Sequence, residues 1–457
     1  MAFGFYTFAA LVIIISISYE LFKRFLRHLR LRRVLAPIPA ARSLPLIGHV
    51  HVTKPDVEGF VDQIMGMANL YPEEPRMVTF WAGTMPSVMI YSAALVNDAV
   101  ANSSNLNKGI FYNSLKPWLG EGLLTSNEEK WRPRRKMLTP TFHYDILKNF
   151  LHTFNSQARV LVEKLNGQCF GKSVVIHDIG KMVSLCALDI ICETSMGQSV
   201  NAQSEHNSEY VRAVLRINDI IQRRQKNPLM WDDTLFWLFG DGREHKWALN
   251  VLHSFTKKVD TFMFEGHDTT AAGITWALQM LGSYPNVQKR AYDEIVAICG
   301  HDAEFTVEQL NRLKYLECVI KETLRLYPSV PIIARQLGAD ARIGGRFIPK
   351  DTQILLNIYL IHREPRHWPD PEFFDPDRFT PENSIRRHPF AFVPFSAGSR
   401  NCIGQRFAQL EEKTVLAHLL RAFHIRSLKR RDEVSHKTEL ILRPVGGIAV
   451  ELTPRST

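Results

Sequence analysis

The sequence predicts a mainly α-helical protein with a minor β region. Apolar residues recur at the three- and four-residue spacing of amphipathic helices in five long segments, at 144–165, 181–196, 286–299, 308–326 and 404–423. Strand-like segments are short and few, and they read RMVTFWA, SVMIYS and QILLNIYL. The chain has 457 residues, of which 45% are hydrophobic and 22% charged, so it can bury a large core and is not a disordered chain.

The N-terminal segment predicts a membrane anchor. Residues 3–19 carry no charge, and six lysines and arginines follow between positions 23 and 33. An uncharged run of this length is near the lower limit for a membrane span, and basic residues on its C-terminal side indicate a retained signal anchor with the rest of the chain in the cytosol. A buried N-terminal helix is the alternative, but it does not explain the basic residues.

These features divide the chain into three parts. We expect a transmembrane signal anchor at 1–22, a basic and proline-containing linker at 23–48, and one domain at 49–457. The basic residues behind the anchor supply much of the net charge of +10, so this charge does not indicate nucleic-acid binding. The six cysteines form no C-x-x-C pair, which favours free thiols in a reducing compartment.

The strongest chemical pattern surrounds Cys402, in the segment FSAGSRNCIG. A helical pattern follows at once, so backbone amides and the helix dipole would favour a thiolate at Cys402, with Arg400 as a neighbouring cation. Gly398 permits a positive φ and close backbone approach to a flat ligand. A buried structural cysteine is the alternative for a lone C-x-G, but the full spacing from Phe395 to Gly404 is far more specific.

This segment resembles the cysteine loop of the cytochrome P-450 superfamily, the haem-thiolate monooxygenases. The resemblance implies the cytochrome P-450 fold, with haem b between a distal and a proximal helix and Cys402 as the iron ligand. A thiolate ligand pushes electron density onto iron and favours cleavage of the O–O bond. The other cofactor-binding residues implied by the loop are Phe395, Gly398, Arg400 and Gly404.

Two further patterns match the same superfamily. Glu322 and Arg325 in KETLR, with Arg378 in FFDPDRF, correspond to a buried ion network that supports the cysteine-loop side, although a Glu/Arg pair at this spacing is usually a solvated surface pair. Trp131 and Arg135 share a helix face and resemble the pair that holds a haem propionate. Arg335 and Arg400 are further propionate ligands by resemblance, because guanidinium groups bind carboxylates bidentately. A solvated basic patch is the alternative for Arg135.

The segment EGHDTT at 265–270 resembles the distal oxygen-activation motif of the superfamily. The resemblance implies that Gly266 leaves room for a ligand, that Thr269 donates a hydrogen bond to dioxygen, and that Asp268 relays protons. In the alternative interpretation Thr269 caps a kink and Asp268 is an ordinary ion-pair partner. Glu265 and its surroundings closely resemble family 4, in many members of which this glutamate forms an ester with a haem methyl. A buried, unlinked carboxyl is the alternative for Glu265.

The stretch before this motif is anomalous. From Arg243 to Ser283 there is no proline, and one apolar stripe continues in phase across Lys257 and Lys258. A single helix there would be about 60 Å long at 1.5 Å per residue, longer than globular helices usually are. Superfamily members have another helix, a loop and the front of the distal helix at this point. We therefore expect an internal deletion near residues 257–260.

The resemblance implies a haem-thiolate monooxygenase that inserts one atom of O2 into an apolar substrate, a fatty acid or related lipid, at or near its terminal methyl. Electrons would come from an NADPH-dependent flavoprotein reductase, with cytochrome b5 as a second donor, at the endoplasmic reticulum membrane, and the catalytic domain would face the cytosol. The rival interpretation is a truncated, non-catalytic haem-binding or unstable isoform. A haem-thiolate isomerase that needs no reductase is a third alternative.

Overall fold

The computed structural model describes residues 2–52, 54, 63, 66, 69–101, 107–205, 209–255, 260–301, 304–438 and 440–455. Helices dominate these ranges. The helices are α1 Ala2–Leu35, α2 Lys116–Leu119, α3 Glu128–Leu138, α4 Tyr144–Cys169, α5 Ile179–Met196, α6 Glu209–Lys226, α7 Asp233–Phe239, α8 Gly242–Phe255, α9 Asp260–Ser283, α10 Pro285–Cys299, α11 Val307–Arg312, α12 Lys314–Leu326, α13 Ile358–Ile361, α14 Pro381–Ser384 and α15 Gln405–Ala422. Short 3₁₀ helices lie at Ala93–Leu95, Ile110–Leu115, Thr139–Phe142, Pro228–Trp231, Pro376–Phe379 and Arg431–Glu433, and a π-helical turn lies at Asn97–Ala101.

The strands form four small sheets. They are β1 Met77–Ala82, β2 Met85–Ile90, β3 Val174–Ile176, β4 Ile332–Gln336, β5 Ala341–Ile343, β6 Arg346–Ile348, β7 Gln353–Asn357, β8 Phe423–Ser427, β9 His436–Thr438, β10 Leu442–Pro444 and β11 Val450–Pro454. The largest sheet has the order β1-β2-β7-β4, in which β2 and β7 are parallel and the other pairs antiparallel. The remaining sheets are β3-β11-β8, β9-β10 and β5-β6. The predicted fold class, mainly α with a minor β region, is confirmed.

The helical core is built around α9. This helix packs against α5, α12 and α15, and α15 packs in turn against α4. Trp276 of α9 is fully buried, and its ring stacks on Tyr327 with centroids 3.9 Å apart. A second apolar cluster lies under the four-stranded sheet and includes Trp81, Ile354 and Trp368. The predicted helix at 308–326 is instead two helices, because Leu313 has a non-helical ψ of 77°. At the start of α12 the Glu294 carboxylate accepts hydrogen bonds from the amides of Tyr315 and Leu316.

The N-terminal helix corrects one predicted boundary. We expected a linker from residue 23, but the helix α1 continues to Leu35. His28, Leu35 and Ile38 are each no more than 3% exposed, because this end of α1 and the turn after it pack on the body of the protein near Trp81. Within the described part of the chain, none of the helices has the length and apolarity needed to cross a membrane.

Candidate active site

The cysteine loop ends directly at α15, with Gly404 as the residue that caps the helix N-terminus. The loop is closed by a hydrogen bond from the Cys402 amide to the Phe395 carbonyl, at 2.9 Å, and by one from the Asn401 amide to the Gly398 carbonyl, at 3.1 Å. Gly398 has a φ of 71°, as predicted, so a side chain there would strain the backbone. Five cysteines are buried, whereas Cys402 alone among the six is exposed.

The thiol of Cys402 faces a space that lies inside the protein. The Cys402 side chain is solvent-accessible, yet the surrounding protein desolvates its thiol. This desolvation raises the pKa of the thiol to about 12. The charge of Glu265 raises this pKa further, while the Gly404 amide and Arg135 lower it. The expected thiolate is therefore disfavoured in the protein alone, because burial raises the thiol pKa more than the helix N-terminus lowers it. A metal ion that the thiol coordinates would deprotonate it.

Arg135 is the cation beside Cys402, in place of the expected Arg400. Its guanidinium donates to the Asn401 carbonyl oxygen at 2.7 Å and to Asn401 Oδ1 at 2.9 Å, so it pins the residue before Cys402. Arg400 instead lies 4.4 Å above the ring of Trp131 and donates to the carbonyl oxygens of Leu123 and Ser126. The correction follows from the direction of the loop, which turns the Arg400 side chain toward α3 and the segment before it.

Arg335 and Arg400 form a buried pair of like charges. Arg335 lies on β4, is 1% exposed, and donates through Nη1 to the Ala334 carbonyl oxygen. Burial and the charge of Arg335 lower the pKa of Arg400 to about 9. The Nε atoms of both residues are buried without a hydrogen-bond partner in the described part of the chain. Two buried guanidinium groups with unsatisfied donors fit the two propionates of haem, which are carboxylates.

Lys108 is a site residue that the sequence did not reveal. Its Nζ atom lies 4.5 Å from the centre of the Tyr112 ring. Burial and the neighbouring charges of Arg335 and Arg400 lower its pKa, and Glu265 acts in the opposite direction. The sequence carries no motif at Lys108 that could have indicated this position.

Glu265 faces the cysteine loop from the distal helix α9. Burial raises its pKa to about 7, against the lowering effects of Lys108 and Arg135. Glu265 and Cys402 also influence one another electrostatically, so α9 and the cysteine loop border the same internal space. This is the position that a cofactor-linked glutamate requires, but the ester itself stays a prediction.

The two residues with expected catalytic roles lie side by side on α9 with different partners. The Thr269 hydroxyl donates to the Glu265 carbonyl oxygen, and the Thr269 carbonyl oxygen accepts from Ser329 at 2.8 Å. Asp268 is 2% exposed, and its carboxylate accepts from the guanidinium of Arg443 and from Asn218 Nδ2 at 3.4 Å. Arg443 lies on β10, 175 positions along the chain, so no local pattern could have predicted it.

Gly266 has a packing role that the sequence did not reveal. A Cβ at this position would lie 2.6 Å from Cδ1 of Ile191 on α5. The missing side chain therefore makes room for the packing of α5 against α9, and the expectation that it also makes room for a ligand stays a prediction. Periodicity could not reveal this, because the neighbour belongs to a helix 75 positions earlier in the sequence.

The predicted ion network is present and buried. Arg325 Nε lies 2.7 Å from Glu322 Oε2 and Nη2 lies 2.8 Å from Oε1, and both side chains are 0% exposed. Arg378 Nε lies 3.6 Å from Glu322 Oε1, and the Asp375 amide donates to the same oxygen. Arg325 also donates to three backbone carbonyl oxygens, of His362, Pro371 and Phe373, which fixes the chain that leads toward the cysteine loop.

A loop cysteine at an internal space, a carboxylate on the distal helix that acts on it, and two buried arginines with unsatisfied Nε donors are the features expected of a haem-thiolate protein. Comparisons with known proteins agree with this class. The family model described as Cytochrome P450 matches residues 38–260 and 253–451. The chain belongs to the cytochrome P450 family, and its relatives place it in family 4 of that superfamily. It is accordingly a cytochrome P450 monooxygenase that binds haem b through a cysteine thiolate.

The relatives cover nearly the whole chain. Cytochrome P450 4V2 of Homo sapiens is 43% identical over 502 residues, which cover 96% of this chain and 94% of that protein. Cytochrome P450 4c3 of Drosophila melanogaster is 38% identical, with 94% of this chain and 91% of that protein covered. The haem domain in the crystal structure of cytochrome P450DA has a TM-score of 0.80 and 23% identity, and the match covers 92% of this chain and 98% of that chain.

The same comparisons bear on the expected internal deletion. The family model matches in two parts that meet at residues 253–260, and the alignment with the human relative extends over 502 residues although this chain has 457. The alignment must therefore open gaps in this chain, and the break in the family match falls where the deletion was predicted. Helix α8 ends at Phe255 and α9 begins at Asp260, whereas residues 256–259 lie outside the described part of the chain.

Proposed function

We propose that the protein hydroxylates a fatty acid or related lipid at or near the terminal methyl, with Cys402 as the proximal ligand of the haem iron. The exposed thiol of Cys402, at the border of an internal space, is the observation that carries this proposal. Membership of family 4 supports the lipid class of the substrate. Bound haem supplies the oxygen-activation chemistry, with electrons from NADPH through a flavoprotein reductase and with cytochrome b5 as a second donor.

The residues around this space have two kinds of role: some bind the cofactor or position the loop, and others transfer protons. Arg335 and Arg400 hold the propionates with their free Nε donors, and Arg135 fixes Asn401 and so the direction of the loop. Glu265 would supply the carboxyl of an ester to the cofactor. Asp268 holds a proton-exchanging carboxyl that Arg443 connects to the surface, since the Arg443 side chain is 32% exposed.

We propose that the protein acts at the endoplasmic reticulum membrane with its body in the cytosol. Supporting this, α1 carries a run of large apolar side chains from Leu11 to Phe22 that are exposed and pack on nothing in the described part of the chain. Basic residues follow this run at once, as in a retained anchor. Extraction of microsomes with alkaline carbonate tests the location, and release of the full chain into the supernatant would contradict it.

The reduced, CO-bound absorption spectrum tests the ligand. We expect a thiolate-type Soret band in the full chain, and loss of this band in Cys402→Ser with haem still bound or absent. The buried Cys299, 6% exposed, supplies the matched variant Cys299→Ser, which should keep the band. A thiolate-type band in Cys402→Ser would exclude Cys402 as the ligand. Turnover of a fatty acid with reductase and NADPH then tests the substrate class.

The split family match favours a second candidate, a truncated isoform that binds haem without catalysis or is unstable. Relatives carry chain between the parts that meet at 253–260, and the segment missing here would cover the substrate side of α9. Sequencing the transcript across codons 255–262 distinguishes a real junction from an incomplete gene model. If the junction is real and the protein takes up no haem on expression, this second candidate replaces the enzyme.

A further inference from the structure

A cavity of about 600 Å³ lies between the C-terminal half of α1 and the body of the protein. Its walls include α1 from Arg24 to Leu31, the turn between β1 and β2, the segment from Lys108 to Lys116, and the residues at the start of β7. Cavities of this volume are large enough to bind a small ligand or part of a larger one. The cavity does not include Cys402, Arg335 or Arg400, and it borders the thiolate site at Lys108.

The charge of the cavity wall is strongly positive. Among the described residues that line the cavity, five are cationic and one is a carboxylate, and these are Arg24, Arg27, Lys108, Lys116, Lys350 and Asp351. The Asp351 carboxylate is already bound by Arg27 at 2.8 Å. The remaining cations line one pocket that is partly open to solvent, where their fields add and attract an anion.

The position of the cavity along α1 indicates where the anion comes from. Phe22, the last exposed apolar residue before the first basic pair of α1, precedes Arg24 by two residues, or about 3 Å along a helix axis. The cavity wall then continues along α1 to Leu31, which is about 10 Å further. The polar headgroup layer of a bilayer is roughly 5 to 8 Å thick on each side. An apolar run in the hydrocarbon core would therefore place this cavity at headgroup level.

We propose that this cavity binds the anionic head of a membrane lipid. The inference rests on the membrane location proposed above, and it goes beyond the monooxygenase activity. Lysine and arginine near a membrane surface attract anionic headgroups, and a walled cavity adds selectivity to that attraction. The recognised group is an anion that guanidinium and ammonium groups bind, and the phosphate of a phospholipid and the carboxylate of a fatty acid are its two sources.

The test uses the full chain, purified with haem in a zwitterionic detergent, and lipids short enough to dissolve. Calorimetric titration compares dihexanoyl phosphatidylserine with dihexanoyl phosphatidylcholine, and octanoate with octanol. The double variant Arg24→Gln, Lys350→Gln removes two exposed cations from the wall without disturbing the core. Lys181→Gln on α5 is the matched control, since Lys181 is 82% exposed and does not line the cavity.

We expect the wild type to prefer the anionic member of at least one pair, and the double variant to lose about thirtyfold in affinity for it at low salt. The control variant should bind as the wild type does. Preference for phosphatidylserine identifies a phospholipid head, and preference for octanoate identifies a fatty-acid carboxylate. Equal binding of both members of each pair, or an anion preference that survives in the double variant, overturns the proposal. These soluble probes report on the cavity even if carbonate extraction contradicts the membrane location.

Discussion

At the scale of single residues, the site is organised by one carboxylate among several cations. Glu265 shares its surroundings with Lys108 and Arg135, whose charges lower its pKa while burial raises that pKa to about 7. A carboxyl of this kind exists in both protonation states near neutral pH. The Glu265 carboxyl is therefore available for reaction, whereas the Glu322 carboxylate is held in a bidentate ion pair with Arg325.

The first prediction concerns the link between Glu265 and the cofactor. We expect denatured wild-type protein to retain part of its haem through organic extraction, because an ester survives unfolding while axial ligation does not. Glu265→Gln should release all of its haem, since an amide cannot form the ester. Glu265→Asp is the matched control for charge, and its shorter side chain should reduce the linked fraction. Complete extraction of haem from the wild type would show that Glu265 stays unlinked.

The second prediction concerns Asp268 and Arg443. Asp268→Asn should lower product formation by roughly 10²-fold, because an amide cannot exchange protons. Arg443→Gln should lower the ratio of product formed to NADPH consumed by a smaller factor, since Asp268 remains but loses the guanidinium that positions it. Arg443→Lys should restore part of the ratio, and the solvent deuterium isotope effect on kcat should change in Arg443→Gln. If the ratio of product to NADPH and the solvent deuterium isotope effect of Arg443→Gln equal those of the wild type, Arg443 does not contribute to proton transfer.

At the scale of secondary-structure elements, buried polar contacts fix how the helices meet. Arg325 of α12 contacts Glu322 on its own helix and three carbonyl oxygens on the irregular chain beyond α13. This pattern ties one helix to a long stretch that has little regular structure of its own. The network therefore orders the approach to the cysteine loop although it lies outside the site.

The third prediction tests this network. Arg325→Ala should destabilise the protein by about 3 to 5 kcal/mol, because it leaves the buried Glu322 carboxylate without its main partner. Lys289→Ala removes an exposed pair with Asp293, four residues apart on α10, and it should cost less than about 1 kcal/mol. Urea unfolding followed by circular dichroism measures both. A similar loss in the two variants would mean that burial of the network adds nothing to stability.

The fourth prediction concerns the contact between α15 and α9. Glu412 of α15 is 2% exposed, and burial raises its pKa to about 8. A Cβ on Gly273 of α9 would lie only 2.5 Å from Glu412 Oε1, so the carboxyl packs directly on that helix. Between pH 4.5 and about 8 the unfolded chain loses this proton while the folded protein keeps it. The free energy of unfolding should therefore fall as pH rises through this window, by at most about 1.4 kcal/mol per pH unit.

Glu412→Gln provides the measurement, because an amide does not ionise. The melting temperature of the variant relative to the wild type should be higher at pH 8 than at pH 5. Glu382→Gln, which changes an exposed carboxyl, should show no such difference. If the melting temperatures of Glu412→Gln and the wild type differ by the same amount at pH 5 and at pH 8, Glu412 is ionised in the folded protein over this range.

At the scale of the whole molecule, α1 belongs partly to the body. Its apolar first half is exposed, whereas its second half buries His28 and Leu35 and is followed by Ile38 in the cluster under the large sheet. The Pro39 carbonyl oxygen also accepts from the Thr79 amide at 2.8 Å, which extends the contact to β1. The boundary between the exposed segment and the body therefore lies inside a helix.

The fifth prediction follows from this division. Deletion of residues 2–22 should leave the melting temperature in detergent unchanged, because the large apolar side chains from Leu11 to Phe22 are exposed and bury little surface against the body. Deletion of residues 2–35 should lower it by several degrees, since burial of Leu35 alone contributes about 1.5 to 3 kcal/mol. Equal melting temperatures of the two truncated proteins would mean that the second half of α1 does not stabilise the body.

The sequence by itself determined what depends on neighbours along the chain. The spacing from Phe395 to Cys402 is a local loop, and Glu322 with Arg325 is one turn of a helix, so both patterns predicted their geometry. The same holds for the break near residues 257–260, which showed as an over-long apolar stripe. The anchor was predicted from composition, but the end of its helix was not, because a linker and a docked helix can have the same basic residues.

The tertiary structure alone decided what depends on packing. Arg443 reaches Asp268 across 175 positions, Arg135 reaches Asn401 across 266, and Lys108 enters the site from a segment without a motif. Ile191, likewise distant in sequence, gives Gly266 its role. The physical reason is common to all of them: a local pattern specifies the shape of a segment, whereas the partner of a side chain depends on which segments the folded core brings together.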